Sequence, residues 1–208
     1  MPRNVPLCVG LLFAFAVAGC GTDEKAVNAA AVAKRAQAQA ERAATQADAD
    51  AAKAQDLHDG CAQQMGDLLD KAKDLSSRLG VGLNYASYSE KAADVKVAYD
   101  DINFGSSDTT MLNCLTKVGL PLERAVNRYI SAYKRWNRCV EDLNCDNDSI
   151  TPSLQADWAK ADRQVEKAKN GLEDLRRSTA NARAKADKAQ STARQLAANA
   201  RRLKAAAK

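Results

Sequence analysis

The stretch LQADWAKADRQVEKAKNGLEDL, residues 154–175, decides the fold. Steps of four and three residues taken alternately meet Leu154, Trp158, Ala161, Val165, Ala168, Leu172 and Leu175. The same step continues through Thr179, Ala182, Ala186, Ala189, Ala193, Leu196, Ala200, Leu203 and Ala207. A seam at this spacing runs down one side of an α-helix and is buried only against another helix. Thr151 suits an N-cap and Pro152 the first helical position, where a missing N–H costs nothing. The spacing therefore predicts one helix from about residue 152 onward, interrupted in its apolar character only at Thr179.

A matching helix lies near the other end of the chain. Ala26, Ala29, Ala33, Ala36, Ala40, Ala43 and Ala47 follow the same alternation, which slips by one residue to Ala51 and Ala54. It resumes as Leu57, Cys61, Gln64, Leu68, Ala72, Leu75 and Leu79, with Gly80 as the stop. If the two long helices pair antiparallel, residues facing each other should have numbers that sum to about 230, placing Leu79 beside Pro152 and Thr22 beside Lys208.

Composition agrees. Of 208 residues 42 are alanine, whereas Gly and Pro number only 10 and 4, a balance that favours long helices and disfavours a sandwich or barrel. Fifteen alanines fall in residues 26–54 and twelve in residues 176–208. The eight aromatics beyond residue 20 lie between these arms: Tyr85, Tyr88, Tyr99, Phe104, Tyr129, Tyr133, Trp136 and Trp158. The fold class expected is all-α: a long antiparallel Ala-rich hairpin with a small disulfide-stapled helical head. Its parts are residues 20–54 (first stalk arm), 55–175 (head) and 176–208 (basic stalk arm). Within the head a helix is expected over residues 85–101, with Asn84 or Ser87 as cap and Ser87 and Glu90 spaced as a capping box. A turn at 103–107 and a short helix capped by Asp108 and carrying Cys114 follow. Pro121 should open another helix, with Leu122, Val126, Tyr129, Ile130, Tyr133, Trp136 and Val140 on its apolar face.

Residues 1–19 form a cleavable export signal, with Arg3 in the n-region and an apolar run from Leu7 to Val17 that is too short to span a bilayer. The run ends in Val17-Ala18-Gly19-Cys20, which resembles the lipobox of bacterial lipoproteins. That resemblance implies cleavage before Cys20 and acylation of its thiol and new amino terminus. It places the mature protein at the cell membrane, or at the outer membrane, since Gly21 rather than Asp follows the cysteine. The arms and terminal Lys208 also resemble, more weakly, murein lipoprotein, an Ala-rich heptad helix joined to peptidoglycan through its last lysine. The head resembles no family.

Cys61, Cys114, Cys139 and Cys145 remain after Cys8 leaves with the signal and Cys20 takes lipid. An even set in an exported chain reads as two disulfides with three possible connectivities. The preferred one joins Cys139 to Cys145 across a short loop and Cys61 to Cys114 across the head. Zinc is the rival for these thiols, but no CxxC pair occurs, and His58, the only histidine, is expected on an exposed helix face. The segment from Asp142 to Asp148 begins like an EF-hand. It then departs, with Asn147 where glycine is needed and Ser153 where the bidentate glutamate belongs, so no metal or cofactor is expected.

Charge is concentrated at one end. Residues 176–208 carry Arg176, Arg177, Arg183, Lys185, Lys188, Arg194, Arg201, Arg202, Lys204 and Lys208 against Asp187 alone. In the hairpin this end lies beside Cys20, where it can meet anionic phospholipid or an anionic wall polymer. Nucleic acid is not expected, because the chain is exported and no aromatic interleaves the basic run. With one histidine, no Ser/His/Asp set and no Gly-rich phosphate loop, no enzyme is expected. The expected function is a membrane-anchored binding or scaffolding lipoprotein with an unidentified protein partner at its head. Its candidate contact surface is the aromatic middle with the tip loop of Gly80, Gly82, Asn84 and Tyr85. The alternative is an envelope spacer whose C-terminal helix extends from the membrane to the wall.

Overall fold

The computed structural model describes residues 22–102, 109–142 and 144–206. Their order is α1 (Thr22–Val81), α2 (Tyr85–Asp100), α3 (Thr109–Cys114), a π-helical turn (Leu115–Gly119), α4 (Leu120–Glu141) and α5 (Asn147–Ala206), with no strand among the described residues. In the head α1 packs on α2, α2 on α4, α4 on α5 and α5 on α1, an up-down-up-down four-helix bundle. α1 and α5, each 60 residues, run on together as the stalk.

Side chains that cross between the two long helices set their register. Gln190 Nε2 donates to Asp48 at 2.9 Å, Thr179 Oγ1 lies 2.9 Å from the Ala54 carbonyl, and the Ser76 hydroxyl donates to Asp162. The pairing is antiparallel as expected, but the facing numbers sum to between 233 and 238 rather than 230, so Ala206 ends level with about residue 30 and α1 overhangs it. Thr179 is 5% exposed and also lies 3.1 Å from the Leu175 carbonyl, so the one polar residue of the α5 seam bridges its own helix and α1.

On α5 the seam follows the expected residues as far as Ala200, with Leu154, Ala161, Val165, Ala168, Leu175, Thr179, Ala186 and Ala193 buried, but Leu203 near the helix end is 40% exposed. On α1 the expected slip does not exist. Ala44, Ala51, Cys61, Met65, Leu68, Ala72 and Leu75 are buried, and Ala30, Ala33, Gln37, Ala40, Ala47, Ala54, His58 and Leu79 are half-buried, an unbroken alternation of four and three. Ala29 and Ala43 face solvent, and Met65 takes the core position assigned to Gln64. Where every other residue is alanine, several templates match, and only the Cys61 to Leu75 part fixes the phase. His58 is likewise a half-buried seam residue rather than an exposed one, with Nδ1 2.8 Å from Asp59.

Two helix ends differ from the sequence reading, and a third decides between its two caps. Gly80 does not stop α1; Gly82, at φ 105°, does, and its N–H reaches the Arg78 carbonyl at 3.0 Å, the left-handed cap that glycine tolerates. α2 takes Asn84 as its cap, with Asn84 Oδ1 accepting from the Ser87 N–H at 2.9 Å, so Ser87 is inside the helix. α5 starts at Asn147 rather than Pro152, because Asp146 caps it. Asp146 Oδ1 accepts from the Asp148 N–H at 3.1 Å, and its carbonyl accepts the Ser149 N–H at 3.1 Å. Thr151 therefore lies within the helix, bonding back to the Asn147 carbonyl at 2.8 Å, and Pro152 is an internal residue of the second turn.

Both preferred disulfides are present. Cys61–Cys114 ties α1 to α3 with both residues fully buried, and Cys139–Cys145 closes a loop between α4 and α5. On the loop-entropy model the longer bridge stabilises the head by about 4 kcal/mol. Cys61 is thereby unavailable to zinc, and no cluster of metal-ligating side chains occurs among the described residues. Asp108 and residues 103–107 lie outside the described residues.

Pro121 lies in the first turn of α4, as expected, but it does not break the helix before it. The Leu120 N–H reaches back five residues to the Leu115 carbonyl, so α3 runs through a π-turn directly into α4. In that turn proline has no N–H to return to Lys117, and the Lys117 carbonyl faces α5 instead. A Cβ on Gly171 would sit 2.3 Å from that oxygen, so Gly171 is required by close approach of two backbones. Val140, placed on the apolar face of α4 by its spacing, is 52% exposed, whereas Cys139 beside it is 7% exposed, so at this end the buried side of α4 carries the disulfide instead.

Gly171→Ala should therefore cost about 1–3 kcal/mol through overpacking, although alanine gains about 1 kcal/mol in helix propensity. Gly66→Ala, whose Cβ meets nothing within 4 Å, should instead stabilise the protein. Urea denaturation of the two variants checks the opposite signs; equal shifts would refute the close approach.

Candidate functional site

Three surfaces were candidates, and the first is the aromatic middle. Tyr85, Tyr88, Trp136 and Trp158 form a chain of ring contacts with centroids 5.4 to 5.8 Å apart, and Tyr133 stacks on Tyr85 at 6.2 Å. The chain reaches from α2 across α4 to α5, and so closes the half of the bundle remote from the stalk rather than offering a surface. Tyr88 and Tyr129 are fully buried. The Tyr88 hydroxyl donates to the Tyr129 carbonyl at 2.8 Å, and that of Tyr129 to the Ala72 carbonyl at 3.5 Å. Tyr85 lies nearer the edge, where its hydroxyl donates to Asn137. At the tip, Val81 is 92% exposed beside Gly82. In the α4–α5 loop Asp142 Oδ1 accepts from the Asn144 N–H at 2.9 Å, so this carboxylate, like that of Asp146, is occupied as a turn former.

Burial pushes the hydroxyl pKa of Tyr88 and Tyr129 far above the ordinary phenol value. The unfolded chain loses these protons near pH 10 and the folded one does not, so folded stability is complete below about pH 10 and falls as pH rises above it. In a titration followed by tyrosinate absorbance, two of the five tyrosines should ionise only together with loss of helical circular dichroism. Ionisation of all five near pH 10 with the fold intact would contradict their burial.

The second surface is the basic arm, and its residues divide. Arg176 forks onto Glu173 at 2.7 and 2.8 Å, and Arg177 reaches Glu173 at 3.7 Å and Asp174 at 3.4 Å. The Arg176 hydrogen bond holds the Glu173 carboxyl below its usual range. Hydrogen bonds from Gln55 and His58, with a smaller contribution from Arg183, do the same for Asp59. The pairs of Arg176 and Arg177 lie within α5, one turn apart on its exposed face. Lys185, Lys188, Arg194, Arg201, Arg202 and Lys204 have no ion pair among the described residues. Near the stalk end, Arg201 and Lys204 share a groove of about 430 Å³ with Lys34, a cation of α1 that a segment-by-segment count of charge does not associate with them. Lys208 and Cys20 lie outside the described residues.

The third surface was not anticipated. Arg124, Asn127, Arg128 and Ser131 share one face of α4, at offsets of three and four residues. They meet Lys160 and Arg163 of α5 around a groove of about 380 Å³. Asp157, only 7% exposed, is the neighbouring carboxylate: Oδ1 lies 3.3 Å from Arg128 and Oδ2 3.1 Å from Arg135. The sequence signal existed as basic residues four apart on one helix and three apart on another. It is invisible until the two faces are known to meet. No family model, curated protein or solved structure matches the chain, so these surfaces carry the functional reading by their own chemistry.

Proposed function

We propose that the chain is a non-enzymatic, lipid-anchored lipoprotein of the bacterial cell envelope that holds a helical binding or scaffolding head away from the membrane. The observation that carries this reading is the antiparallel register. α5 returns to the level of about residue 30, which brings Arg201 and Lys204 beside Lys34, close in sequence to the lipobox cysteine Cys20. Acyl chains on Cys20 would anchor the stalk, and unpaired cations at the same end would rest on anionic headgroups, each worth about 1 kcal/mol within a Debye length. From the start of α1 at Thr22 to the base of the head the stalk measures about 50 Å at 1.5 Å per residue. No described helix is long and apolar enough to cross a membrane, so attachment in this reading is through lipid. The spacer alternative needs a C-terminal helix that leads away from Cys20, and an α5 packed back along α1 does not favour it.

A Cys20→Ser form lacking the signal should float with vesicles rich in phosphatidylglycerol but not with phosphatidylcholine vesicles. Binding should weaken by more than about tenfold between low salt and 0.5 M NaCl. The full-length protein expressed in bacteria should incorporate labelled palmitate, and Cys20→Ser should not. Salt-independent flotation would refute the electrostatic contact, and unlabelled wild type would refute the anchor.

A further inference from the structure

We propose that the groove between α4 and α5 is a second, independent binding site, and that it takes the phosphate group of a soluble or polymeric phosphate ester. Arg124 and Arg128 on α4 face Lys160 and Arg163 on α5, and no carboxylate lines the groove. Asp157, beside the groove, is buried and already shared between Arg128 and Arg135. Four cations therefore line the groove, and only Arg128 among them has a carboxylate partner. Arg124, Lys160 and Arg163 have no ion pair among the described residues. On α5 Lys169 and Arg176 are balanced by acids one turn before them, Glu166 and Glu173, whereas the cations of the groove, like those of the stalk end, are not. Repulsion within the groove is relieved by an oxyanion, and the donors present suit one. Guanidinium forks bind phosphate through paired charge-assisted hydrogen bonds, and the Asn127 amide and Ser131 hydroxyl add neutral donors.

The position of the groove selects the source of that phosphate. Residues 160–163 are about 65 Å along α5 from its end at Ala206, at 1.5 Å per residue. If Cys20 anchors the opposite end, the groove stands too far from that bilayer to reach its headgroups, which leaves a soluble or polymeric ester. The choice of source rests on the proposed anchoring; phosphate binding itself does not.

The test uses the full mature chain as Cys20→Ser, with sodium phosphate and glycerol 3-phosphate as probes against sodium chloride of equal ionic strength. Both phosphates should raise the melting temperature saturably, as ligands of the folded state do. Arg124→Gln and Arg163→Gln, both exposed positions, should each weaken binding by about tenfold, whereas Lys71→Gln and Lys167→Gln, exposed and outside both grooves, should leave it unchanged. Equal effects of chloride and phosphate, or equal losses from the groove variants and these controls, would overturn the site. Flotation with phosphatidylglycerol vesicles that depends on the groove rather than on the stalk end would overturn the assignment of source. A wild type that takes no palmitate would remove the anchor and yet leave the groove variants' phosphate result standing.

Discussion

The contact between α1 and α5 is the constraint on which the rest of the structure depends. It is the longest packing surface in the molecule, and it is made largely of residues with one methyl group or none. Alanine seams allow close approach but bury little apolar area, at roughly 0.8 kcal/mol per carbon, so the stalk relies on helix propensity and on features that fix its register. Thr179, bonded toward the Ala54 carbonyl, and Gln190, paired with Asp48, fix it in the stalk, and Ser76 with Asp162 does so in the head. Gly171 lets the π-turn carbonyl of Lys117 dock against the same helix. The head holds what the stalk lacks: large buried side chains, a chain of aromatic contacts and a buried bridge from Cys61 to Cys114.

This division of labour arranges the chemistry. Near the free end of the stalk, cations of both long helices share a groove; at the head–stalk junction, arginines are consumed by Glu173 and Asp174; in the head, a second cationic groove lies between α4 and α5. The same residue type therefore serves three ends, and the neighbours decide which. Arg176 is held because a carboxylate stands three residues before it, whereas Arg163 makes no ion pair among the described residues, Glu166, three residues on, being taken by Lys169.

The sequence made the architecture legible wherever side chains differ in size. Leu154 to Leu175 stand out from their neighbours, so the α5 seam was readable residue by residue, and cysteine parity with loop length favoured the disulfides that form. Phase was lost where alanine sits next to alanine, as at Ala43 and Ala44, because either methyl fits the template and only the distant Leu68 and Met65 decide. Caps were misplaced when two signals competed: Thr151-Pro152 is a good start, but Asp146 precedes it and caps first. The helix break at Pro121 was a sound local expectation that a π-turn evaded. The α4–α5 groove was illegible for a different reason. It is a property of two faces, and charge counted along the chain assigns Arg124 and Arg163 to different segments.

The stalk arrangement turns on the register of the hairpin, since the groove that Lys34 shares with Arg201 and Lys204 exists only in that register. Cysteines placed at Asp48 and Gln190, whose side chains touch, should be joined by a short bis-maleimide within one chain, giving a faster-migrating monomer. Cysteines at Ala40 and Gln190, one register away, should join much less. Crosslinking only between chains, or equal yields for the two pairs, would contradict the antiparallel register.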